Sequence, residues 1–173
     1  MRASPLGRPA SLDDLLLYRI SRLLATAGTM VIRLCEGRFG ITRREWRVLA
    51  LLAVHEDLLS SQLAERAQLD RARTSRAVTS LVAKKLVRRV VGPGDRRQVR
   101  VSLTDEGRQL YEALFPLVRD LNRELLSPVS TADVTRLHGV LAKLQTRADE
   151  LVARTPLPKA DRRRGGRTRA AMG

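Results

Sequence analysis

Residues 87 to 103 interrupt an otherwise helical sequence. "VRRVV", "GPGDRR" and "QVRVSL" read as strand, turn and strand, with Val99, Val101 and Leu103 alternating against Gln98, Arg100 and Ser102. That period of two marks a half-buried strand, whereas the apolar residues on either side recur every three or four positions, the period of a helix. The chain is therefore mainly α with a small β-hairpin, and the hairpin's place in the order of elements narrows the fold further.

Capping residues divide the helical parts. Ser11 with Asp14 forms a capping box ahead of Leu16, Ile20, Leu23, Ala27, Val31 and Leu34, the apolar stripe of a long first helix. Thr42 with Glu45 starts a second helix, whose run of Trp46, Val48, Leu49, Leu51 and Leu52 implies burial. "SSQLAERAQL" is a short third helix capped by Ser60 or Ser61. Asp70 caps a fourth, "RARTSRAVTSLVAKKL", whose apolar Val78, Leu81 and Val82 leave Arg71, Arg73, Thr74 and Arg76 to face outward. After the hairpin, Thr104 caps a helix with Asp105 and Glu106 near its positive end, and Pro116 is expected to bend it. Ser130 with Asp133 starts the last helix, which runs to about Val152.

The net charge of +15 is unevenly placed. Residues 70 to 105 carry a net +7 and the tail from 153 to 173 a net +6, while 11 to 69 and 106 to 152 together are neutral. Basic charge concentrated in one internal stretch and one tail suits a polyanion, and the alternative is a merely solvated basic surface. A single cysteine allows no internal disulfide and fits a reducing compartment. With no signal-like or membrane-length apolar run, a cytoplasmic location without membrane contact is expected. His55 and His138 sit in different settings and the Gly-Pro-Gly turn opens no helix, so neither a catalytic triad, a phosphate loop nor a zinc site can be nominated. No enzyme activity, metal or cofactor is expected.

Three helices followed by a hairpin is the order of a winged helix-turn-helix, in which the helix capped by Asp70 enters the major groove of double-stranded DNA. Arg71, Arg73 and Arg76 can fork onto guanine edges or phosphates, and Thr74, Ser75 and Thr79 can reach bases or phosphate oxygens. Their spacing does not put all six on one face, so some meet only the backbone. Asp70 either caps alone or also orients Arg73 or Arg71.

At this point "LAERAQLDRARTSRAVTSLVAKKLVRRVV" followed by "GDRRQVRVSLTDEG" resembles the MarR family of bacterial transcription regulators. Its most specific motif, Asp-x-Arg, a short strand and then Leu-Thr-x-x-Gly, is met here by Asp95, Arg97, Leu103, Thr104 and Gly107. Lys85 departs from the glycine common at the end of the recognition helix, and Gly92 from a polar residue before the proline. The resemblance covers about residues 12 to 152. It implies a dimerisation helix (11–40), a winged helix-turn-helix (41–105) and further dimerisation helices (106–152); outside it a flexible start (1–10) and, for want of apolar periodicity, a basic disordered tail (153–173) are expected. It further implies a homodimer on a pseudo-palindromic operator, with Arg97 in a flanking minor groove, Asp95 orienting it and Arg96 on phosphate. Repression is the mode expected from it. A narrow A·T-rich groove concentrates negative potential and favours a weakly hydrated guanidinium.

The resemblance also implies release by a small aromatic acid bound between the dimer helices and the winged helix. The candidate contacts are Tyr18, Arg19, Arg22, Trp46 and His55, with Arg22 first for a carboxylate. Structural readings compete with these: Trp46 as core, His55 as a helix end, Tyr18 as a dimer contact. Some members sense oxidants through cysteine, but Cys35, on the apolar side of the first helix beside Glu36, reads as a core residue. The rival to a specific regulator is a sequence-tolerant architectural DNA-binding protein using the wing and the tail arginines Arg162, Arg163, Arg164, Arg167 and Arg169.

Overall fold

The computed structural model describes residues 4–91 and 99–156. Two short 3-10 turns, Pro5–Gly7 and Leu12–Asp14, lead into α1 (Leu16–Phe39) and α2 (Arg43–His55). Then come β1 (Asp57–Leu59), α3 (Ser60–Arg66), α4 (Arg71–Ala83), β2 (Val87–Val91) and β3 (Val99–Leu103), followed by α5 (Asp105–Leu126) and α6 (Thr131–Arg154). The chain divides into two compact units, the first ending at Ser127 and the second beginning at Pro128.

In the first unit Leu49 and Leu52 of α2, Leu63 of α3, Leu81 of α4, Val101 of β3 and Leu114 of α5 are completely buried. Each such side chain contributes about 1.5–3 kcal/mol of transfer free energy, so one shared core fixes the helix-turn-helix, the hairpin and α5 together. Leu110, Tyr111, Leu114 and Val118 form the inward stripe of α5, which continues through Pro116. In the second unit no residue of α6 is buried, and Leu137, Val140, Leu141 and Leu144 are exposed along it. Its cap is as expected: the Ser130 hydroxyl accepts from the Asp133 amide at 3.2 Å and donates to the Asp133 carboxylate at 2.7 Å.

Three local expectations are corrected. Asp14 accepts from the Ala10 and Ser11 amides, both at 3.0 Å, which closes an isolated turn, and α1 starts only after extended Leu15. Neither serine caps α3. Leu59 holds that position, its amide donating to Gln62 Oε1 at 3.1 Å, while Ser60 Oγ donates to the Val99 carbonyl at 3.3 Å. The hairpin is also part of a larger sheet, ordered β1–β3–β2 and antiparallel throughout, with Leu58 opposite Val101.

The end of α4 explains the motif around Thr104. Leu86 N–H donates to the Leu81 carbonyl and Lys85 N–H to that of Val82, both at 3.0 Å, the paired bonds of a helix stop with a left-handed residue. Lys85 is that residue, with φ 59°. The expected glycine geometry is thus kept by a lysine, at a steric cost. Thr104 then ties three segments: its hydroxyl donates to the Lys85 carbonyl at 2.7 Å and accepts from the Gly107 amide at 3.1 Å, and its own amide donates to the Leu86 carbonyl at 3.2 Å. A Cβ at Gly107 would lie 1.9 Å from that same Leu86 oxygen.

A second tie joins α2 to α4. Glu45, only 2 % exposed, closes the capping box with Thr42 and receives Lys84 Nζ at 3.0 Å on both oxygens. Lys84 also donates to the Gly40 carbonyl at 2.8 Å. Burial pushes the Glu45 carboxyl up, but hydrogen bonds from Ser80, the Thr42 amide and Lys84 outweigh it and hold the group below its ordinary value.

Gly107→Ala is expected to cost about 2–3 kcal/mol in urea unfolding, because the obstacle is backbone; Lys85→Gly is expected to stabilise by about 0.5–1 kcal/mol by relieving the left-handed strain. Because Glu45 is depressed in the folded state, its stabilisation is full at neutral pH and is lost as pH falls through that folded value, below the ordinary glutamate value of about 4.3. Unfolding midpoints of wild type and Glu45→Gln, far apart at pH 7, should converge towards pH 3.

Candidate nucleic-acid interface

The Asp70 cap performs both roles left open by the sequence. Its Oδ1 accepts from the Arg73 amide at 2.7 Å, and its Oδ2 lies 3.3 Å from Arg73 Nε. Capping starts α4, and the ion pair sets the direction of one guanidinium at its first turn. Arg71, Arg73, Ser75, Arg76 and Thr79 are all exposed. Arg71, Ser75 and Thr79 share one stripe at four-residue spacing, while Arg76 lies against its own helix, Nε donating to the Ala72 carbonyl at 3.3 Å.

Thr74 is a correction. It is 2 % exposed and its hydroxyl donates back to the Asp70 carbonyl at 3.0 Å, so it joins Ala77, Val78 and Leu81 on the core face. The wing residues Asp95, Arg96 and Arg97 lie outside the described residues, as do the tail arginines.

A groove of about 510 Å³ runs beside the α4 stripe, bordered by Ser60, Ser61, Arg71, Ser75, Thr79 and Arg89. Three of these were missed in the sequence. Ser60 and Ser61 read as caps, although their hydroxyls are free of that duty. Arg89 stands on β2 two residues after buried Val87, hence on the strand face turned towards α4, and its Nη2 donates to Thr79 Oγ1 at 2.7 Å. The two-residue step from Val87 along the strand carries that signal, although "VRRVV" itself does not alternate. The groove thus combines two guanidiniums with short hydroxyl side chains, the donor set that contacts phosphate oxygens and base edges.

A second cavity, of about 430 Å³, lies among α1, α2 and α5. Leu24, Val31, Trp46, Ala50, Leu51 and Val118 make its walls, and Arg43 and Arg47 bring charge to it. The Arg43 guanidinium lies over Gly28, where a Cβ would come within 2.8 Å of Nη1. Trp46 belongs to the core and the cavity at once: it is 8 % exposed and stacks on Tyr111 with centroids 5.7 Å apart. Of the five sequence candidates it alone lines this space. Arg22 instead pairs with Asp13 at 2.8 Å and sits over the Tyr18 ring, Arg19 is exposed on the same part of α1, and His55 meets Arg66 at 3.2 Å on the surface. The arginines that line this cavity are therefore Arg43 and Arg47, and Arg22 lies outside it.

Cys35 is completely buried, and burial together with Glu36 raises its thiol to about 11. Among the described residues no group of three His, Cys, Asp or Glu could hold a metal ion, and no helix is long and apolar enough to cross a membrane.

Comparison with known proteins places this geometry. The model of the MarR family matches residues 39–98. The regulator FarR of Neisseria gonorrhoeae is 31% identical over 111 residues, 64% of this chain and 76% of FarR. The homoprotocatechuate degradative operon repressor of Escherichia coli is 26% identical over 104 residues, 60% of this chain and 70% of that protein. Among solved structures, the MarR family transcriptional regulator SPO1453 of Silicibacter pomeroyi is 32% identical, with a TM-score of 0.69 over 80% of this chain and 98% of that one.

The state of Cys35 is directly testable. A thiol reagent such as dithiobis-nitrobenzoate at pH 8 should react at least about 100-fold more slowly with the native protein than with the urea-unfolded chain, since both burial and the raised pKa suppress thiolate. Rapid native reaction would restore an oxidant-sensing role.

Proposed function

The chain belongs to the MarR family of transcription regulators, DNA-binding winged-helix proteins rather than enzymes, and from that premise we propose a two-fold dimeric repressor released from a pseudo-palindromic operator by a small aromatic acid. The observation that carries the reading is the exposed stripe of Arg71, Ser75 and Thr79 beside Arg89 and the α3 serines, on a helix whose opposite face is locked into the core. A rigid helix with short hydroxyls and forked cations can dock in the major groove without first being ordered. Arg73, steered by Asp70, and Arg76 flank that stripe and meet the backbone. Arg97 of the wing enters the adjacent minor groove with Asp95 orienting it, and Arg96 meets phosphate.

Support for the dimer comes from surfaces that a monomer leaves in water. Leu17, Ile20, Leu23 and Leu24 are exposed on α1, as are Leu137, Val140, Leu141 and Leu144 on α6. Apolar exposure on this scale marks an interaction surface, and two-fold pairing sets the two recognition helices about 34–36 Å apart.

Support for the effector comes from the α1–α2–α5 cavity, which has apolar walls, an aromatic side and two guanidiniums. An aromatic acid stacks along Trp46 with its carboxylate on Arg43. The E. coli relative is by its name the repressor of a degradative operon for such an acid. Benzoate, 4-hydroxycinnamate and 6-hydroxynicotinate, each a single six-membered ring with a carboxylate, are small enough for this volume.

Selection of bound sequences from random duplex DNA tests the reading. The expected product is a pair of inverted half-sites with centres about 10 base pairs apart, preferred over bulk DNA by about 10³ or more. Arg97→Ala should then weaken binding most where A·T pairs flank the half-sites, and Arg96→Ala about equally on all sequences. A selection that returns no shared sequence would leave a sequence-tolerant architectural protein.

A further inference from the structure

Arg47 faces two ways. Its side chain lines the α1–α2–α5 cavity, and its Nη1 donates to the Ala67 carbonyl at 2.9 Å. Ala67 is buried and ends α3, and the turn that follows it leads into Asp70, the cap of α4. The last carbonyls of a helix have no partner within it, so a donor from elsewhere holds the end in place. Here that donor comes from α2, reaching across 20 residues of sequence to the connection that aims the recognition helix.

The turn itself is closed around one left-handed residue. Gln68 takes a left-handed φ of 52°, strained for a residue with a Cβ, and closes the helix with bonds from Gln68 N–H to Glu65 and from Leu69 N–H to Ala64, both at 3.1 Å. The other tie from α2 to α4 lies at the far end of α4, through Glu45 and Lys84. The C-terminal end of the recognition helix is thus tied to a buried carboxylate, and the turn before its N-terminus to an arginine that lines the cavity.

We propose that Arg47 is the positioning residue that couples the cavity to the recognition helix. An anionic aromatic ligand draws the Arg47 guanidinium from the neutral Ala67 carbonyl to its own carboxylate, a stronger, charge-assisted partner. The α3–α4 turn loses its outside donor, and the N-terminal half of α4, where Asp70, Arg71 and Arg73 lie, is released while the Lys84 end stays fixed. Coupling of this kind is reciprocal: operator DNA, which favours the held turn, weakens the acid by the same factor. The proposal rests on the effector reading above and adds the route by which the effector acts.

The experiment compares wild type with Arg47→Ala, using benzoate, 4-hydroxycinnamate and 6-hydroxynicotinate, each titrated calorimetrically to saturation. Operator affinity is then measured with and without the saturating acid. In wild type the acid should weaken operator binding at least about fivefold, the low end of typical couplings. In Arg47→Ala the acid should still bind, held by Arg43, but the ratio should fall below about twofold, and operator affinity without acid should already sit near the acid-saturated wild-type value. Arg47→Lys, which keeps the charge but loses the fork, should fall between them. If Arg47→Ala merely lowers the melting temperature and keeps the wild-type ratio, the coupling role is overturned while the effector reading stands. If none of the three acids binds wild type, both fall.

Discussion

The contact of Gly107 with the Leu86 carbonyl is the joint on which the other elements turn. At this point α4 has just ended, β2 is about to start, β3 has just finished and α5 begins. Thr104 bonds to both Lys85 and Leu86, and the missing Cβ at Gly107 lets α5 start against that backbone. Two strands of five residues hold together weakly alone. Closed at their root by these bonds and packed through Val101 and Leu103, they become an extension of the helical core.

The arginines of this chain divide by what lies opposite them. Arg88 bridges to Ser102 and Arg100 to Asp57, across neighbouring strands, and Arg89 reaches Thr79 on α4. Exposed pairs of this kind add little to stability. Their effect is to fix where guanidinium groups stand, which matters more for a surface that meets phosphates at set distances. Arg71 is exposed along the groove beside α4, whereas Arg47 is engaged by the Ala67 carbonyl.

Much of this was legible locally. Thr42, Asp70, Thr104 and Ser130 all cap where the sequence places them, since a cap and the amides it satisfies lie within four residues. The hairpin strands also fall at the expected residues, because alternation is a short-range pattern. Thr74 was misread although it stands four residues before Val78 and seven before Leu81, on the inward stripe; its polarity outweighed its position. β1 is too short to alternate at all. The cavity is a different case: Gly28 on one helix and Arg43 and Trp46 on another define it only when packed, whereas Tyr18 and Arg22 lie one turn apart on a single helix.

Pairing of β1 with β3 gives the hairpin a third strand that leads straight into α3. The root of the wing, α3 and the Lys84 end of α4 therefore share one frame, and the span from that end of α4 to the hairpin is a length set by the protein. Such a frame acts as a caliper. A duplex whose grooves already match the opening is accepted at no cost, and one that does not must be bent or twisted until it fits, at an energy fixed by the stiffness of its own base steps. In the proposed complex, part of the selectivity is then exercised at base pairs that no side chain touches.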